Sequence, residues 1–112
     1  MARKILWTEI AYQDLHEAYQ YIARDSANYA AAFADRVVQK VDSLDLFPFG
    51  GRMVPEFQNP TVRETYVDRY RLIYEVSDHA IHLIAVIHGA RDLAALWDGE
   101  GRKQPGTEGH FE

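Results

Sequence analysis

Apolar and polar positions follow one period in the first half of this chain and another in the second. Residues 3–7 (Arg-Lys-Ile-Leu-Trp) read as a short strand. Thr8 is placed to cap a helix, and Glu9 suits the positive end of that helix's dipole. Ala11, Leu15, Ala18 and Ile22 then recur at spacings of four, three and four, a single helical stripe. The polar run Arg24-Asp25-Ser26-Ala27-Asn28 interrupts it, with Ser26 or Asn28 as the cap of a second helix. There Ala30, Phe33, Val37, Val41 and Leu44 share one face, while Asp35, Arg36, Gln39 and Asp42 lie off it. Phe47-Pro48-Phe49-Gly50-Gly51 ends that helix, because proline cannot continue it and paired glycines favour a turn. Two helices joined by so short a polar link pack antiparallel as a hairpin.

After Asn59-Pro60 the pattern becomes that of strands. Thr61–Val67 is rich in β-branched and aromatic residues. In 70–76, Tyr70, Leu72, Tyr74 and Val76 take one face and Arg71, Ile73 and Glu75 the other. Ser77-Asp78-His79-Ala80 predicts a hairpin turn, and Ile81–Ile87 is apolar nearly throughout, as an interior strand is. His88-Gly89-Ala90-Arg91-Asp92 closes that strand, and Asp92 caps a last short helix through Leu93, Leu96 and Trp97. The order is strand, helix, helix, a meander of three strands, then a short helix. It predicts an α+β domain, a small antiparallel β-sheet with the N-terminal helical hairpin on one face and the other face partly open. Residues 1–97 form this single domain, and the Gly- and charge-rich residues 98–112 are expected to be a flexible polar tail.

Composition narrows the chemistry. The 112 residues contain no cysteine, which excludes a disulfide scaffold, a thiolate metal site and a thiol nucleophile. Met1–Glu9 has only three apolar residues after its two positive charges, too few for a secretory signal or a membrane helix, so a cytoplasmic protein with no membrane contact is expected. The net charge of -5 argues against broad non-specific binding to nucleic acid. Within residues 47–97, however, every basic residue is an arginine, the side chain whose planar fork clamps phosphate or carboxylate.

The catalytic possibilities are few. His82 and His88 share strand parity but stand about 20 Å apart along an extended strand, too far to hold one ion. No metal or cofactor is expected. Ser26, Ser43 and Ser77 fall at cap, helix and turn positions outside any nucleophile elbow, and Gly50-Gly51-Arg52 lacks the spacing of a phosphate-binding loop. One constellation remains, Arg63, Arg71 and Arg91 with His88. Three guanidinium groups on the uncovered sheet face would hold a phosphodiester or a carboxylate-bearing partner segment, and His88 would shuttle a proton. The competing reading makes each arginine a partner of a neighbouring acid and makes His88 a strand-end residue bonded to backbone.

Taken together, the strand ending in Trp7, the helix through Ala11, Asp14 and Leu15 into Tyr21-Ile22-Ala23, and Phe33 with Val37 resemble the start of the RelE/ParE toxin superfamily. Pro48-x-x-Gly51-Arg52-x-Val54-Pro55-Glu56, Arg63-Glu64, Tyr70-Arg71-Leu72-Ile73-Tyr74 and Val86-Ile87-His88-Gly89-Ala90-Arg91-Asp92 resemble its second half. The resemblance covers residues 3–97. It implies a toxin of a type II toxin–antitoxin pair, neutralised by a small cognate antitoxin. RelE-like members cleave mRNA at the ribosome, and Arg63, Arg71 and Arg91 match basic positions of that site. Trp97 stands where RelE carries a functional tyrosine, and an indole has no titratable proton for that task. ParE-like members poison DNA gyrase instead, and the acidic chain with only three lysines resembles that branch more closely. The readings are thus a gyrase-binding toxin, a metal-independent endoribonuclease acting on ribosome and mRNA, and a member that forms only a regulatory complex.

Overall fold

The computed structural model describes residues 3–100 and Arg102, with the backbone alone at 98–100. The chain runs β1 (Lys4–Trp7), α1 (Glu9–Ala23), α2 (Ala27–Ser43), β2 (Arg52–Met53), β3 (Val62–Val67), β4 (Tyr70–Val76), β5 (Ala80–His88) and α3 (Leu93–Glu100). Local chemistry sets the helix starts. Thr8 Oγ1 accepts the amide of Ala11 at 3.1 Å and also donates to the Leu83 carbonyl at 3.0 Å, so one hydroxyl caps α1 and ties it to β5. Ser26, rather than Asn28, caps α2 through the Tyr29 amide at 3.0 Å. Asp92 takes the Ala95 amide at 3.1 Å as α3 begins. That helix runs on to Glu100, three residues beyond the expected domain end, and most of the expected tail lies outside the described residues.

The sheet order is β1-β5-β4-β3-β2. The three meander strands pair antiparallel as expected, with a two-residue turn at Asp68-Arg69 where Asp68 takes φ 56°. Two features go beyond the expectation. β1 joins β5 in parallel, which makes the sheet mixed, and Arg52–Met53 adds an edge strand on β3. A register shift opposite Ile73/Tyr74 gives β5 one extra residue. It also cancels the shared parity of His82 and His88. His82 pairs with Glu75 on one face, and His88 pairs with Tyr70 on the other.

Both faces of the sheet are covered. On one side Ala11 and Ala18 of α1 and Phe33, Val37 and Val41 of α2 bury Leu72, Tyr74 and Leu83. Phe33 is fully buried, its ring 5.1 Å from that of Tyr70, and truncating such a residue costs about 3–5 kcal/mol. On the other side Leu93, Leu96 and Trp97 of α3, with Val54 and Phe57, cover Val62, Ile73 and Ile87. The face expected to be partly open is thus largely closed over its middle by α3 and the segment after β2.

Candidate functional site

Alternation along β3 and β4 decides where the arginines go. Arg71 pairs with Tyr66 and Ile87 and lies on the α3 side of the sheet. Arg63 pairs with Tyr74, which is buried under the helical hairpin, and so lies on the opposite side. Arg91 follows β5, at the rim of a groove between α1 and that strand. The expected gathering of Arg63, Arg71 and Arg91 on one uncovered face does not occur. A strand turns successive side chains to opposite faces, and these residues sit on two faces and one rim.

Arg71 is buried, 5% exposed, in a network of two cations and two carboxylates. Its Nε donates to Glu64 Oε1 at 2.7 Å, and Nη1 and Nη2 reach Glu56 at 3.3 and 3.1 Å. Glu64, itself 1% exposed, accepts from Arg52 Nε at 2.5 Å through its second oxygen. A buried charge persists only when paired and hydrogen-bonded, and here every member is. Burial pulls the Arg71 guanidinium down, but its bonds to Glu56 and Glu64 outweigh this and leave it raised. The same hydrogen bond from Arg71 holds the Glu56 carboxyl below its ordinary range, against a smaller opposing push from burial. The cluster is electrically neutral, so Arg71 presents no net positive charge to a phosphate.

Arg63 is held differently. Nε donates to the Pro60 carbonyl at 2.8 Å, Nη1 to the Gly51 carbonyl at 3.2 Å, and the guanidinium carbon lies 5.1 Å from the Phe49 ring centroid. Gly51 itself packs against the backbone of Glu64 and the hydroxyl of Tyr74, which only a residue without a Cβ can do. A Cβ there would stand 2.7 Å from the Tyr74 hydroxyl and closer still to the Glu64 carbonyl. Tyr74 is fully buried and accepts the Gly51 amide at 3.1 Å, and burial pushes its phenol up.

The groove between α1 and β5 has a volume of about 460 Å³ and is lined by Asp14, Glu17, Tyr21, Tyr70, His88 and Arg91 among others. His88 Nδ1 accepts the Ala90 amide at 3.1 Å, and its ring meets Tyr70 edge-on at 5.3 Å. The backbone-bonded reading of His88 is the geometry found. With Nδ1 an acceptor, Nε2 is left to carry the proton. Among the described residues no three His, Asp or Glu side chains gather as metal ligands, and no helix is long and apolar enough to cross a membrane.

The competing reading, an arginine partnered by acids, is what Arg71 shows; Glu56, Glu64 and Asp14 stood in the sequence only as parts of motifs, with no role given to them. The signal for Glu64 was present. The turn at Asp68-Arg69 sets Tyr66 opposite Arg71, and alternation then puts Glu64 on the same face, one diagonal step away.

The comparisons agree with this architecture. The profile of a family described as ParE toxin of type II toxin-antitoxin system, parDE, matches residues 5–93. Toxin RelE2 of Caulobacter vibrioides is 33% identical over 89 residues, 79% of this chain and 97% of that toxin. Among solved structures, a chain of the chromosomal ParDE system from P. aeruginosa superposes with a TM-score of 0.63 at 20% identity, over 78% of this chain and 96% of that one. A chain of the Staphylococcus aureus YoeB dimer does so with a TM-score of 0.55 at 14% identity, over 79% and 98%. With nearly its whole described length matched in order, the chain belongs to the ParE toxin family of type II toxin–antitoxin systems.

Proposed function

We propose that this toxin arrests growth in the cytoplasm by binding DNA gyrase rather than by cutting RNA, and that a cognate antitoxin holds it inactive. The observation that carries this reading is the neutralised Arg71. Metal-free cleavage of RNA needs cations facing the phosphate as charge develops in the transition state. Here Arg71 is matched by Glu64 and Glu56, and Arg63 lies across the sheet. A binding toxin has no such requirement, and an acidic chain suits a protein target better than ribosomal RNA.

The test compares two assays on the purified toxin. DNA supercoiling by gyrase should be inhibited, and mRNA in a translating ribosome should stay intact. Ribosome-dependent cleavage of mRNA by the native chain would overturn the proposal in favour of the endoribonuclease with His88, Arg63, Arg71 and Arg91. Unimpaired growth on expression without antitoxin would overturn it in favour of a partner in a regulatory complex only.

A further inference from the structure

At the edge of the sheet opposite β2, β1 stops at Trp7, paired with Leu83, while β5 continues to His88. Beyond that point the outer amide of Val86 has no strand to bond. Asp14 of α1 takes it, Oδ2 accepting at 3.1 Å. The carboxylate is thereby fixed in place, and both its oxygens meet one guanidinium. Arg102 donates through Nη1 to Oδ2 at 3.0 Å and through Nη2 to Oδ1 at 2.8 Å. Its guanidinium carbon lies 5.2 Å from the Trp97 ring centroid, and its backbone amide bonds the Trp97 carbonyl at 3.2 Å. The two charged side chains are only 8% and 9% exposed.

We propose that Asp14, the Val86 amide and the Trp97 ring form a guanidinium-binding site, which the chain fills with its own Arg102 and thereby fastens α3 across the sheet. The parts come from three elements and suit one chemical class. A planar fork satisfies both carboxylate oxygens and lies over an aromatic face, whereas an ammonium is a point charge and does neither as well. The chemistry that can take the place of Arg102 is another guanidinium group. Tethering gives Arg102 a local concentration of millimolar order, so an incoming guanidinium must bring further contacts to displace it.

Occupancy has a consequence at a distance. Trp97 also meets Phe57 edge-on at 5.1 Å, and Phe57 follows Glu56, the clamp on Arg71. Emptying the site therefore loosens α3, then the segment 54–57, and then the hold on Arg71. This holds whether the toxin's target is gyrase or the ribosome.

The test is chemical rescue in the full-length chain. Arg102→Ala should raise amide hydrogen exchange in residues 93–97 and 54–57 by at least about tenfold, as loss of one partner of a buried pair implies. Methylguanidinium at roughly 10 mM, on the scale of the tethered concentration, should restore protection, and methylammonium at the same concentration should not. Rescue should vanish in Asp14→Asn/Arg102→Ala. Should the alanine variant fail to fold, Arg102→Lys provides the comparison, with exchange between that of the native chain and a fully released α3. Unchanged exchange in either variant, equal rescue by the two cations, or rescue without Asp14 would each overturn the proposal.

Discussion

Replacing Glu64 by alanine removes the one carboxylate that meets both Arg71 and Arg52. Arg71 stays buried and retains only Glu56, at 3.1 and 3.3 Å, whose side chain is 34% exposed. Arg52, with 65% of its side chain exposed, regains water at little cost. The penalty therefore falls on Arg71, and breaking a buried pair in this way costs about 3–5 kcal/mol. Small domains hold a total of roughly 5–15 kcal/mol, so about a fifth of the stability is at stake at the least, and all of it in a marginal domain. With a urea slope of about 1.5 kcal/mol/M, the unfolding midpoint should drop by about 2–3 M. The double variant Glu64→Leu/Arg71→Met should recover most of the loss, because an apolar pair of similar volume leaves no stranded charge. Equilibrium urea unfolding followed by circular dichroism measures both. A Glu64→Ala loss below about 1 kcal/mol, or a double variant no better than the single one, would show that the cluster is not the buried, mutually dependent network described.

Three further outcomes are expected. Gly51→Ala should cost about 1–3 kcal/mol by forcing the backbone off Glu64 and Tyr74, and an unchanged melting temperature would refute that close approach. Thr8→Ala should cost about 1–2 kcal/mol, since one hydroxyl serves both the α1 cap and the Leu83 carbonyl, and a loss no larger than that of Ser26→Ala would mean the second bond adds nothing. The Glu56 carboxyl has a lowered folded pKa, so its contribution is present above the unfolded value of about 4.3 and disappears as pH falls through the folded one. Glu56→Gln should therefore reduce stability at pH 7 by under about 1 kcal/mol, discounted for its exposure, and should narrow the gap to the native protein below pH 4; a gap that widens on acidification would contradict the sign.

The parts legible in the sequence are those that local chemistry decides. The stripes Ala11-Leu15-Ala18-Ile22 and Ala30-Phe33-Val37-Val41 place two helices whatever surrounds them, and Thr8, Ser26 and Asp92 accept amides within three residues of themselves. The strand at 70–76 shows its two faces by alternation, and the order of segments is enough to place the chain in its family. The parallel β1–β5 pair and the two-residue strand β2 exist only as pairings with distant strands, so no local pattern announces them.

The fate of the arginines was decided by the tertiary structure alone. In β3, Val62 and Val67 have opposite parity and are both buried, because α1 and α2 cover one side of the sheet and α3 covers the other. With both sides covered, alternation and register separate Arg63 from Arg71 but do not say which partners either one meets. Whether a guanidinium meets solvent or a carboxylate depends on partners such as Glu56, 15 residues before Arg71, and Asp14, 88 residues before Arg102. Charge pairing acts through space, and that space exists only once the sheet has closed between its helices.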